Sequence, residues 1–339
     1  MNTKYELTNE TILHCGRTLY RIRALKDFGD VKKGDLGGWI ESEKNLDING
    51  VCWIYDDAIV FESASVSNNA KILNQAQARD NVKLFENARV YNNVMLYDDV
   101  QVYGNARIYD NVHLFDATQV YDDARIYGRV KLEDRVKVYG AAQVCDDVEL
   151  CDDVRVYDNA RVCDDVELYD DVQVYGNARV CDDAQLYDSV QVYGDARVYD
   201  DAELYDDVQV YGNAHVCDYA ELYGAVQVYG DSRVYDDAEL RDRVRVYGYA
   251  HVCDYAKLCD DVHVYGDTIV SNYVKLHNAV HVYDNARVYD NAELYGNVRI
   301  HDNGHVCGCA KLYDNVMVCG DAKVDGTTEL HDDLQICNE

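Results

Sequence analysis

The sequence predicts an all-β fold, a triangular β-solenoid of about 16 coils of 18 residues preceded by a small β-rich N-terminal cap. Three observations predict it. A six-residue unit runs without insertion or deletion from Ala58 to Glu339. Its apolar positions alternate with period two, and a second period of 18 lies over the first. A repeat this regular decides the architecture before any local propensity does.

The unit reads small-apolar, variable, aliphatic, Tyr/Cys, Asp/Gly, Asp/Asn, as in Ala160-Arg161-Val162-Cys163-Asp164-Asp165. Ala or Val at the first position and Val, Leu or Ile at the third share one side of a strand, because side chains alternate across it. The second and fourth positions take the other side. Asp, Asn and Gly at the last two tolerate left-handed dihedrals, so the chain bends there. A bend every six residues with one side always apolar coils the chain around its own core. The helical period of 3.6 is absent.

The period of 18 distinguishes three faces: Gln-rich (Gln173-Val174-Tyr175), Arg-rich (Arg179-Val180-Cys181) and Glu-rich (Glu203-Leu204-Tyr205). On the Gln-rich face the fourth position is aromatic in twelve consecutive coils, Phe85 and then Tyr103, Tyr121, Tyr139, Tyr157, Tyr175, Tyr193, Tyr211, Tyr229, Tyr247, Tyr265 and Tyr283. The column beside it, from Gln101 to Arg299, holds Gln, Lys, Arg and His and no acid. The other two faces interrupt their tyrosines with Cys, Glu133, Arg241 or Ser271, so stability alone does not demand the unbroken column. These tyrosines are the candidate binding residues. Tyr219, Tyr255 and Tyr273 stand at one corner where other coils carry Asp or Asn, and Tyr249 at another.

Charge narrows the partners. The formal net charge of −31 argues against nucleic acid, whose phosphates demand a basic surface. Hydrophobic content of 48% and the 31 tyrosines argue against disorder. No apolar stretch approaches a membrane span, and the N-terminus has no apolar leader. The 13 cysteines lack a disulfide framework's spacing, which suggests reduced thiols and a cytoplasmic setting. Cys145, Cys163 and Cys181 stack with their Cβ atoms parallel, and Cys307 and Cys309 form a lone C-x-C without a second zinc-like pair. His263 and His281 fall in one outward column as repeat variation. No catalytic residue, metal ligand or cofactor is expected. The Asp-Asp corners should repel along each edge, by about 0.9 kcal/mol per pair before screening.

The hexads resemble the left-handed β-helix repeat of the hexapeptide-transferase superfamily, and left-handedness is what that resemblance implies. The segment Asp27-Phe28-Gly29-Asp30-Val31-Lys32, then Gly37-Gly38-Trp39 and Cys52-Trp53-Ile54-Tyr55-Asp56, resembles YdcK-like bacterial β-helix proteins and their phage relatives. Residues 1–51 read as the cap, with a strand from Arg17 to Ala24 after a turn at Cys15-Gly16, and residues 52–339 as the hexapeptide-repeat β-helix.

Hexapeptide acyltransferases place a catalytic His beside a protruding loop and carry a C-terminal helix, and neither feature interrupts or follows these hexads. The expected function is therefore a non-enzymatic scaffold that presents flat Tyr/Gln/Arg faces for self-association or for an unidentified protein partner. A hexapeptide-type acyltransferase is one alternative, and a phage-linked acidic decoy sequestering a host protein is another. The final hexad, Leu334-Gln335-Ile336-Cys337-Asn338-Glu339, leaves a strand edge bare, which suggests a homodimer joined end to end through the C-termini.

Overall fold

The computed structural model describes residues 2–338. It is a parallel β-solenoid, and the chain divides into two compact units, residues 1–165 and 166–339. Among the described residues there is no α-helix, and a single 3-10 turn spans Glu43–Asn45. No helix is long and apolar enough to cross a membrane.

The first unit opens with three strands, β1 (Tyr5–His14), β2 (Arg17–Ala24) and β3 (Leu36–Ile40). β1 and β2 form an antiparallel hairpin with His14 opposite Arg17. Its turn sits where the sequence places it, with Cys15 at φ 48° and Gly16 at φ 76°. β2 pairs antiparallel with β3, and β3 then pairs in parallel with Ile59–Val60 of the first hexad. The hairpin is thereby joined to the repeat by backbone hydrogen bonds. Lys4, Tyr5, Leu19, Ile22, Ile40, Leu46 and Trp53 are buried within this part of the unit.

From there each hexad contributes a short strand at its second and third positions, and each strand pairs in parallel with the one 18 residues later. In the first unit Gln101 lies opposite Gln119, and Arg89 opposite Arg107. In the second unit Glu203 lies opposite Glu221, and Gln191 opposite Gln209. The register is exact to the residue because a slip of one would turn the aliphatic third position out to water. Val102, Ile108 and Leu114 in the first unit, and Val210, Val216 and Leu222 in the second, are fully buried.

The turns refine the expectation that both last positions bend. Positive φ falls on the fifth residue of the hexad, for example Asp98 at 54° and Asp206 at 62°. The sixth joins it at Asp147, Asp165 and Asp183. Where the fifth residue is Gly104, at φ 67°, a Cβ would lie 2.5 Å from the Asp122 nitrogen of the next coil, so backbone approach as well as dihedral angle favours glycine.

The corner carboxylates are more fully compensated than their spacing suggests. Fifth-position acids accept the backbone N–H of the coil above: Gly104 donates to Glu86 at 2.9 Å, Gly224 to Asp206 at 3.0 Å and Asn278 to Asp260 at 3.0 Å. Sixth-position Asn side chains donate in series, Asn69 to Asn87 at 3.0 Å, Asn87 to Asn105 at 3.1 Å and Asn105 to Asp123 at 3.0 Å. Arg135 clasps both oxygens of Asp153 at 2.7 and 2.6 Å, and Arg243 does the same to Asp261. Charge-assisted bonds of this kind offset repulsion between like neighbours. Asp200 and Asp236 still sit above the ordinary carboxylate range, first through burial and then through neighbouring aspartates.

One cysteine expectation is corrected. Cys319 and Cys337, in register on paired strands, are joined by a disulfide. Their Cα atoms are 4.5 Å apart, within the reach of the bond, so coil spacing by itself does not forbid pairing along a column.

Candidate functional site

On the Gln-rich face the predicted tyrosines form ladders. In the first unit Phe85, Tyr103, Tyr121, Tyr139 and Tyr157 stack with ring centroids 4.8–4.9 Å apart. In the second unit Tyr175, Tyr193, Tyr211, Tyr229, Tyr247, Tyr265 and Tyr283 stack at 4.8–5.0 Å, and His301 continues the series. The rings bury one another's faces, and burial pushes the Tyr121 hydroxyl up to about 12. His263 and His281 are neighbours at 4.8 Å as the spacing predicts, their planes tilted by 38°, and burial holds both imidazoles below their ordinary value.

Of the recesses in the first unit, one gathers cations and tyrosines, and none of the column's tyrosines lines it. Asp30, Tyr55, Lys71, Leu73, Arg89, Tyr91 and Arg107 line a cleft of about 330 Å³. Asp30 is held in a tight turn by reciprocal backbone bonds between Phe28 and Val31, at 3.0 and 2.9 Å. Its carboxylate receives the Tyr55 hydroxyl at 2.7 Å and the Lys71 ammonium at 2.7 and 2.8 Å. Lys71 also lies over the Tyr55 ring, 5.3 Å from its centroid. Lys71, Arg89 and Arg107 are second-position residues of successive coils on the Arg-rich face, aligned in register. Tyr91 stacks on Tyr109 at 4.9 Å and closes one wall.

The electrostatics follow from these contacts. Lys71, then Tyr55, holds the Asp30 carboxyl below the usual carboxylate range. Burial first, and Asp30 second, pushes the Tyr55 hydroxyl up, so it remains a donor at neutral pH. Asp30 offsets Lys71 only. Arg89 and Arg107 are exposed and make no ion pair among the described residues, which leaves two adjacent guanidinia facing the cleft of a strongly acidic chain. Such a pair favours an anion, and phosphate above all, which it can grip bidentately. Because Asp30 has a depressed folded pKa, its ion pair contributes stability above the unfolded carboxylate value, and that contribution is lost as pH falls through the folded value. Acid titrations followed by circular dichroism should therefore show Asp30→Asn differing from the parent at neutral pH and converging with it at the acid end.

Sequence reasoning missed this site. The available signal was the Arg column itself: Arg89, Arg107 and Arg125 succeed one another with no acid among them, in a chain with nearly twice as many acids as bases. Also unforeseen are three clusters whose ligand-type atoms lie within 4.8 Å of one another: Glu133 with Glu149 and Cys151, Asp200 with Cys217 and Asp218, and His301 with Asp302 and the disulfide-bonded Cys319.

Fold and cleft together define a β-solenoid with a recess lined by cationic side chains. Three segments, residues 100–114, 172–188 and 190–206, match the YdcK β-solenoid repeat. Over 71 residues the chain is 44% identical to the uncharacterized acetyltransferase YdcK of Escherichia coli strain K12, a stretch covering 19% of this chain and 22% of that protein. The resemblance read from the N-terminal residues thus has a counterpart in the repeats. The chain matches about a fifth of that relative's length.

This corrects the expectation of a non-enzymatic scaffold, and with it the acidic-decoy variant. The similar protein bears an acetyltransferase's name, which favours the transferase alternative. The missing loop carried too much weight. A recess does not require an insertion between hexads, since here the segment before the repeat supplies Asp30 and the coils supply Lys71, Arg89 and Arg107.

Proposed function

We propose that the protein is an acyltransferase of the hexapeptide β-solenoid type, moving an acetyl or similarly short acyl group from its coenzyme A thioester to a hydroxyl or amine acceptor. The observation that carries this reading is the 44% identical stretch shared with a protein named as an acetyltransferase. The cationic cleft supports it. Coenzyme A carries its phosphates at the end remote from the thioester, and Arg89 and Arg107 offer paired donors for them. Lys71, tethered by Asp30, is fixed in place to add a third cation. Leu73 and the Tyr91 ring give the recess its apolar lining. In the reaction the acceptor's oxygen or nitrogen forms a bond to the acyl carbon and the carbon–sulfur bond breaks. The proton released by the acceptor ends on the departing thiolate. Binding the remote phosphates holds the thioester at a fixed place, the contribution that positioning makes to acyl transfer.

Calorimetric titration with coenzyme A at low salt tests the cleft. The parent is expected to bind, and Arg89→Ser or Arg107→Ser should weaken binding roughly tenfold each, as loss of a charge-assisted contact does. Thiol release from acetyl-coenzyme A, monitored against a panel of sugar alcohols and amines, tests the chemistry. A protein that neither binds coenzyme A nor releases thiol with any acceptor is not this enzyme.

A further inference from the structure

The corner column of the Arg-rich face in the second unit, elsewhere mostly Asp and Asn, holds three tyrosines with one acid between them. Strand register aligns His215 with Arg233, Arg233 with His251 and His251 with Ile269. That alignment puts the sixth-position residues Tyr219, Asp237, Tyr255 and Tyr273 in one line on successive coils. Tyr255 and Tyr273 stack, with centroids 4.9 Å apart and planes within 3°. Tyr219 stands two coils from Tyr255, about 9.6 Å at the usual strand spacing. The rung between them holds Asp237 where a ring would otherwise complete the stack. All three tyrosines are exposed, Tyr219 by 62%.

The protein itself shows what else fits a rung. In the second unit Arg241 occupies the ladder position after Tyr223, and its guanidinium lies 4.9 Å from that ring while Glu239 pairs with it. In the first unit Arg79 stands one coil before Tyr97 and lies 4.4 Å from its ring. A guanidinium is planar, so it substitutes for an aromatic ring in a stack, and a neighbouring carboxylate holds it there.

The break at Asp237 has the aromatic neighbours and the carboxylate but no cation. Among the described residues none of Asp218, Asp236, Asp237 and Asp254 is ion-paired to Lys or Arg. The charge is felt locally. The Asp237 carboxylate is the first cause of a raised Tyr255 hydroxyl, and Asp218 and Asp254 add to burial in raising Asp236.

We propose that Tyr219, Asp237 and Tyr255 form a receptor for one guanidinium group, the side chain of an arginine on a protein partner, seated between the two rings and paired with the carboxylate. Lysine fits less well, because an ammonium neither stacks on two faces nor pairs bidentately. The site is independent of acyl transfer, since none of its residues belongs to the cleft of the first unit.

The test titrates full-length protein with the capped peptide acetyl-Gly-Arg-Gly-amide, without coenzyme A, followed by saturation-transfer NMR. Saturable binding is expected, with the Gly-Lys-Gly analogue weaker by roughly tenfold. Asp237→Tyr completes the ladder and removes the charge, so it should abolish binding while leaving the circular dichroism spectrum unchanged. Tyr219→Ala should weaken binding several-fold, roughly what losing one cation–π face predicts. No binding of the arginine peptide, equal binding of the lysine analogue, or full binding by a folded Asp237→Tyr protein would each overturn the proposal.

Discussion

Val210→Asp is expected to cost about 3–5 kcal/mol, enough to disrupt the coils around it. Val210 is fully buried, paired in register with Val192 on one side and Val228 on the other. A carboxylate there meets only hydrocarbon above, below and across the coil. In a repeat protein each coil is stabilised by its neighbours, so the loss should propagate into adjacent coils before it is contained. Gln209, next along the chain, points outward on the same strand, and Gln209→Asp should change stability by only about 0.5 kcal/mol. Urea melts of the two variants side by side check the core assignment, and equal midpoints would refute it. Burial also raises the introduced carboxyl's pKa, so its penalty should shrink as pH falls and the group takes up a proton.

That contrast rests on what the repeat makes legible. Period two assigns Val210 inward and Gln209 outward, and period 18 assigns their neighbours, because a solenoid turns sequence spacing directly into spatial contact. The same rule located the ladder from Tyr175 to Tyr283 and the His263–His281 pair. It also held the slot at Asp237, visible as an acid between Tyr219 and Tyr255 in one corner column, once strand register is taken as given.

The cleft was hidden for a different reason. Asp30 meets Lys71 across 41 residues, from a segment with no period, and no repeat rule relates the two. Net charge misled as well. The value of −31 describes corners whose carboxylates are largely engaged by backbone N–H groups and asparagines, while the Arg-rich face keeps a local excess of cations. The disulfide at Cys319 and Cys337 was overlooked because thirteen cysteines without a framework's spacing read as reduced thiols, although a separation of 18 residues sets these two side by side with Cα atoms 4.5 Å apart.

The second large effect is expected at Lys4, and it links stability to the cleft. Lys4 is 1% exposed, and its ammonium donates to the carbonyls of Asp47 at 2.9 Å and Asn49 at 3.3 Å. It also lies 3.2 Å from the Cys52 sulfur and 5.0 Å from the centre of the Phe28 ring. Around it Tyr5 and Phe28 pack edge-on against Trp53, and the Tyr5 hydroxyl donates to the Leu46 carbonyl at 2.8 Å. The ammonium thus fastens the start of the chain to the turn at 47–52 that leads into the first coil. Lys4→Met keeps most of the volume but takes the ammonium donor from two partly buried carbonyls and leaves them only the weak Cys52 thiol, at a cost of about 2–3 kcal/mol. Lys33→Met, at an exposed position, should cost less than about 0.5 kcal/mol. Hydrogen exchange should show β1 and β2 losing protection in Lys4→Met while the coils of the second unit keep theirs, as expected for opening of a local unit. Asp30 sits in the same segment beside Phe28, so coenzyme A affinity should fall in parallel although Lys4 does not line the cleft. Unchanged protection of β1 in Lys4→Met would mean that the aromatic packing alone secures the segment. Lost protection with unchanged coenzyme A binding would mean that Arg89 and Arg107 hold the ligand without Asp30 and Lys71.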